Sequence, residues 1–372
     1  MLEWYLDKYY EKLQKNLQEL ADFFKKNTSG YPQGVTLHSL IIELWELWDK
    51  NREFIMNGDN SSIINFLYLE CIEKKSQGVW DYQFYADKLL AEIDFFIEWN
   101  AEKLTQNTWK KIAWTNIRLS LKDNNPYWKM EAHPDHKNTW WVNWWWEKSE
   151  DDWLDVYEKT FNLLKEIDEW FYAELNKIIT KIVPLWTAKG LHNSASYKEC
   201  IGHLYMWFTI DSDIPELNNL EAIIHESSHN KINLIKQFDP LVLSNYETKY
   251  YSPYRPDARH IHWVFLGIQA FVPVIYVLMQ ALSKWSIQDS WHWKEKIVLY
   301  YLKNKFCLRV LKKHWKFSEL WTEIMDEIEE VMNMTDSIYK TINIDKTVIL
   351  NAKNAMVQHF QDVNRNYPQL EY

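Results

Sequence analysis

Glycine and proline are scarce in this chain, 7 and 10 residues among 372. Tight turns and left-handed backbone lean on those residues, so an architecture of many short strands is excluded and long helices are expected. Cysteine is scarcer still. Cys71, Cys200 and Cys307 lie far apart and form no Cys-x-x-Cys pair, which leaves neither a disulfide framework nor a thiolate zinc site and points to a reducing compartment. Positive charge is the third deficit: 42 Lys and Arg against 52 Asp and Glu give a net charge of -10. No basic stripe tracks a phosphate backbone, so nucleic acid is not the expected partner. The first residues, Met1-Leu2-Glu3-Trp4-Tyr5-Leu6-Asp7-Lys8, are acidic and amphipathic where a signal peptide needs a basic start and an apolar run. The expectation is a cytoplasmic protein.

What the chain has in excess is aromatic side chains, 23 Trp, 22 Tyr and 16 Phe. So many rings must pack in interiors, line a pocket or sit at an interface, and they are incompatible with a disordered chain. Apolar residues recur at three-and-four spacing from Leu2 to Lys26, and the same period predicts helices near 38–56, 61–75, 81–105 and 107–122, then a long helix over about 151–182. Cys200 to Ile210 is rich in β-branched and aromatic residues and is the best strand candidate. Pro215 opens a helix to about Gln237, and after a loop at 239–256 the chain reads as helical to about 361. The fold class is mainly α, with at most a small strand element near 200–210. Pro184 and Gly190 mark a change of texture, dividing a helical N-terminal region, 1–183, from a second helical region, 184–372. The first is a scaffold or a site of substrate recruitment. Ile261 to Leu282 is apolar and about as long as the ~20 residues a bilayer crossing takes. It carries His262, Gln269, Pro273 and Gln280 and has no flanking basic cluster, so it reads as a buried core helix and no membrane is the expected partner.

The chemistry-bearing residues lie in the second region. His225-Glu226-Ser227-Ser228-His229 sits inside a good helix former, which places two imidazoles one turn apart on one face, able to converge on one ion. In a zinc peptidase Glu226 is the general base toward the metal-bound water and a third ligand follows downstream. Ile232 and Ile235 stand where the metzincin extension needs Gly and His, which excludes that class; Glu295, Glu319 and Glu323 are available for a gluzincin, none in a recognisable context. A second segment follows, Tyr250-Tyr251-Ser252-Pro253-Tyr254-Arg255-Pro256-Asp257-Ala258-Arg259-His260-Ile261-His262, and opens the apolar helix.

Together the two segments resemble the HExxH-type 2-oxoglutarate- and Fe(II)-dependent peptide β-hydroxylases, which act on ribosomally made peptide natural products. The likeness covers about residues 200–285. It implies an oxygenase acting on a peptide substrate, with Fe(II) held by His225, His229 and a third histidine. Tyr254 stands in place of a tryptophan, Ala258 and His260 in place of prolines, and Leu266 in place of a histidine common in the family. His262, one turn before Leu266, is the natural third ligand and His260 the reserve. The far carboxylate of 2-oxoglutarate needs a planar two-bond partner, which Arg255 or Arg259 supplies, with hydroxyl donors from Tyr251 and Ser252. Glu226 then stands beside the metal ligands with no compulsory base role.

Two other readings stay open: a zinc peptidase using Glu226 as base, and a non-catalytic helical module that grips a partner through an aromatic surface. A di-iron bundle is a poor match, because Glu226 and His229 form only one Glu-x-x-His pair. Trp140, Trp141, Trp144, Trp145 and Trp146 read as a hydrophobic plug between helices or as a stacking platform, and His133, Asp135 and His136 as solvated loop residues. The oligomeric state is not legible.

Overall fold

The computed structural model describes residues 2–27, 64–65, 68, 72, 110–120, 139–140, 150–187, 194–198, 200–207, 215–239, 241, 243, 247–284, 290–314, 316, 318–368 and 370. The helices expected at 38–56 and 81–105, the residues His133, Asp135 and His136, and four of the clustered tryptophans, Trp141, Trp144, Trp145 and Trp146, lie outside them. The protein is mainly α-helical and divides into two compact units, Met1–Glu158 with Asn176–Ile210, and Lys159–Leu175 with Asp211–Tyr372.

In the first unit α1 spans Leu2–Asn27. Tyr5, Tyr9, Leu13, Leu17 and Leu20 repeat at helical spacing and are buried, which is the periodicity read from the sequence. The strand expected near 200–210 is present as β6, His203–Trp207, and belongs to a small sheet. The other strands are β1 (Lys110–Lys111), β2 (Arg118–Leu119), β3 (Thr139–Trp140), β4 (Lys181–Thr187) and β5 (Ser194–Ala195), in the order β1-β2-β4-β6-β5 with β3 also on β4. The central strand β4 runs parallel to both β2 and β6.

Residues 107–122 were expected to be helical, and their described part is instead a hairpin. Thr115 explains it: its hydroxyl donates to the Ile112 carbonyl at 2.9 Å and accepts from the Ile117 amide at 3.0 Å, so a side chain takes over groups that a helix would pair along the backbone. Trp114 takes the left-handed conformation that closes the turn, at φ 64°. The helix expected over 151–182 is likewise divided, into α2 (Glu150–Ile167) and α3 (Glu169–Ile178), with β4 beyond. The Asp168 carboxylate accepts from the Phe171 amide at 2.9 Å and so caps a new helix. The β-branched run Ile178-Ile179-Thr180-Lys181-Ile182-Val183 then favours a strand. Gly202 is required where β6 begins: its φ is 88°, and a side chain there would meet the Thr180 hydroxyl at 2.8 Å.

The second unit is built around one helix. It contains α4 (Pro215–Ile235), the paired strands β7 (Lys249–Tyr250) and β8 (Arg259–His260), α5 (Ile261–Lys284), α6 (Trp291–His314), α7 (Glu319–Thr341) and α8 (Lys346–Asn366). The apolar α5 packs against α4, α6 and α7, and α8 packs on α6. A helix apolar all round belongs in a core, and 67% of the most apolar window of α5 is buried in protein. Its polar side chains have protein partners: Gln269 donates to the Ser228 carbonyl at 2.7 Å, and Gln280 to the Asp168 carboxylate at 2.9 Å. Side-chain caps start the last two helices, Ser318 for α7 and Asp345 for α8.

Lys231 of α4 joins three elements, with Glu174 of α3 at 2.8 Å and Glu327 of α7 at 2.6 Å. Removing a cation from between a largely buried and a half-exposed carboxylate leaves like charges facing each other, so Lys231→Ala should lose about 1–3 kcal/mol of unfolding free energy. Urea denaturation measures it; an unchanged midpoint would show that the triad contributes nothing net.

Candidate metal centre

Pro215 begins α4 where a missing amide is harmless, and the helix then presents Glu221, His225, His229, Ile232 and Lys236 along one face, at steps of four, four, three and four. The hydroxyls of Ser227 and Ser228, between the two histidines, bond back to the carbonyls of Ile223 and Ile224 at 2.5 and 2.8 Å. Buried serines are thereby satisfied within the helix.

The Nε2 atoms of His225 and His229 are 3.1 Å apart, with the rings at 89° to each other. At a metal–nitrogen length of about 2.1 Å, two ligands at a right angle stand about 3.0 Å apart and two tetrahedral ligands about 3.4 Å. The observed separation falls between these and nearer the right angle. Both rings are neutral at pH 7. Burial is the main cause for each, pushing both down to about 4; the Arg255 charge adds to it at His225, and at His229 the His225, Arg255 and Lys236 charges add while Glu226 opposes. Neutral imidazoles with converging nitrogens fit a divalent ion without first losing a proton.

The His225 ring meets Phe271 of α5 at 4.6 Å, and Tyr254 stacks on Phe271 at 4.2 Å with the planes 5° apart. Tyr254 reaches this position because α5 has Gly267 one turn earlier, where a Cβ would stand 3.3 Å from the tyrosine ring. Its hydroxyl donates to Asn304 of α6, whose amide donates in turn to the Phe271 carbonyl at 3.0 Å. Tyr300 packs on Phe271 at 4.9 Å and donates to Glu221, which also holds Lys296 at 2.5 Å.

The expected site residues separate into two groups. His225, His229, Glu226 and Arg255 are brought together: Glu226 is buried with its charge acting on His229, and the Arg255 charge reaches both imidazoles. The rest are engaged elsewhere. Arg259 pairs with Asp257 at 2.7 Å and lies over Trp263. Tyr251 is buried with its hydroxyl on His359 at 2.9 Å, and the carbonyl of buried Ser252 accepts the Arg255 amide in a turn. His262 is buried with Nε2 3.2 Å from the Lys236 amine and Nδ1 without a hydrogen-bond partner, while His260 bonds the Thr248 carbonyl. Among the described residues no three His, Cys, Asp or Glu side chains converge as a metal site. Sequence reasoning missed Lys236, Phe271 and His359. The position of Lys236, seven after His229, was a usable signal; Phe271 read only as an apolar core residue, and His359 lies 108 positions from Tyr251.

Comparison with known proteins returns no matching family model and no matching curated relative.

Burial also depresses His262 to about 4, with Lys236 and His260 adding to it. Between that value and the ordinary 6.5 the unfolded chain binds more protons than the folded one, so stability rises with pH across this window and levels off above it. Acidification of metal-free protein from pH 7.5 to 5.5 should cost about 1 kcal/mol per buried histidine. His262→Gln should flatten the slope. Urea midpoints that do not fall over this range in the parent protein would contradict the burial of these rings.

Proposed function

We propose that this protein is an Fe(II)- and 2-oxoglutarate-dependent oxygenase that hydroxylates a side-chain β-carbon of a peptide. The observation that carries it is a pair of converging neutral imidazoles on one helix with an arginine charge reaching both. His225 and His229 would hold the ion, leaving its other positions for cofactor and oxygen. Bound iron with 2-oxoglutarate supplies an oxidant able to take hydrogen from an unactivated carbon. Arg255 is favoured over Arg259 as the partner of the far carboxylate, because Arg259 is already paired with Asp257. Phe271 and Tyr254 form an apolar wall against His225 that excludes water on that side. Glu226 supports the ligand pair electrostatically and deprotonates nothing in this reading. His262 joins the ligand set only by exchanging Lys236 for the ion. The peptide class of the substrate comes from the resemblance of the two motif segments.

One observation favours a zinc peptidase instead: a buried Glu226 beside His229 stands where such an enzyme keeps its general base.

Anaerobic addition of Fe(II) and then 2-oxoglutarate to metal-free protein should produce the visible charge-transfer band of a chelated complex. His225→Ala and His229→Ala should abolish it, and His262→Ala should weaken iron binding about tenfold, roughly 1.4 kcal/mol, where that residue ligates. With oxygen and peptide, the product should gain one oxygen atom as one succinate is released, and Glu226→Gln should retain measurable turnover. Peptide cleavage with zinc and no 2-oxoglutarate, abolished by Glu226→Gln, would establish the peptidase. Failure to take up either metal would leave the non-catalytic module.

A further inference from the structure

Arg255 sits in a short turn, its amide bonded to the Ser252 carbonyl at 3.2 Å, and this turn is held at two points. On one side Tyr254 is fixed by Phe271, Gly267 and Asn304, as described above. On the other side stands His359 of α8. One nitrogen, Nδ1, bonds the Tyr251 hydroxyl at 2.9 Å, and the Arg255 main chain lies near enough to the ring to act on it. A half-buried imidazole bonded to the residue just before the turn holds the turn at its root.

The surroundings make that grip rigid. Tyr251 packs edge-on against Phe306 of α6 and Phe360 of α8, both at 5.1 Å, and the His359 ring lies 5.6 Å from it. Val363 and Leu370 close the same cluster around Tyr251 and Ala258, with Tyr367 packed on it. Burial and the Lys303 charge hold the ring below the usual imidazole value, against Asp362 and the Arg255 main chain.

We infer that His359 is a positioning residue for Arg255: by holding Tyr251 at the root of the turn that ends in Arg255 it sets where the guanidinium stands relative to His225 and His229. This rests on reading Arg255 as the anchor for the far carboxylate of 2-oxoglutarate. The physical consequence is selective. Loosening the turn costs ligand recognition, which depends on a two-bond guanidinium geometry, and leaves the two helix-borne imidazoles untouched.

The test is calorimetric titration of 2-oxoglutarate into anaerobic Fe(II)-loaded protein, with iron affinity measured in parallel. His359→Ala should weaken 2-oxoglutarate binding by about fivefold or more while iron affinity stays within about twofold. His359→Gln, whose amide also offers a donor and an acceptor, should recover most of the loss and serves if the alanine variant folds poorly. In an Arg255→Ala background, His359→Ala should add little, because a residue that acts only through Arg255 has nothing left to position. Full additivity of the two substitutions overturns the inference, as does an unchanged affinity in His359→Ala when Arg255→Ala weakens binding. If neither substitution affects 2-oxoglutarate, the site reading fails, and positioning is judged by the Arg255 guanidinium ¹⁵N resonance. His359→Ala must shift that resonance and His359→Gln restore it; a resonance unmoved by His359→Ala overturns the inference.

Discussion

A polar side chain taken out of water favours a partner, and α4 carries several such side chains into the second unit. Several neighbours of that helix supply those partners. Glu221 is met by Lys296 and Tyr300 of α6, Lys231 by carboxylates of α3 and α7, and Lys236 by His262 of α5. His225 and His229 are met by each other. Their ring nitrogens converge near the middle of the helix, while the charged groups toward its two ends are paired with neighbouring elements.

The placement of α5 follows from the same requirement. Its apolar faces satisfy α6 and α7, and toward α4 it offers Gln269 to the Ser228 carbonyl and Phe271 to the His225 ring. Pro273, two residues on, has no amide to give the Gln269 carbonyl and so interrupts the backbone ladder near the site. The outward carbonyl of Phe271 is taken by Asn304, so α6 holds α5 at the turn where α5 touches the histidine pair.

Much of this was legible in the sequence where a period or a spacing carried it. The periodicity of Leu2–Lys26, the start at Pro215 and the apolar run after Ile261 each correspond to a helix, and the four-residue spacing of His225 and His229 corresponds to their convergence. What failed was decided by side chains acting locally. Thr115 captured backbone groups that helical periodicity alone assigns to a helix, and Asp168 capped a second helix inside an expected single one. The division between Arg255 and Arg259 was half legible: Asp257, two residues from Arg259, was an available partner in the sequence, whereas the approach of His359 to Tyr251, beside Arg255, is made by the tertiary fold from more than a hundred residues away.

That last separation has a consequence for synthesis. Tyr251 and His359 are 108 residues apart, and at ribosomal rates of about 5–20 residues per second the second follows the first by about 5–20 s. During that interval the histidine-bearing helix and the loop after it are already made, while the helix that clamps the loop is not. A nascent chain therefore displays the imidazole pair well before the loop after it is held, and the order of translation makes the Tyr251–His359 contact a late one to form.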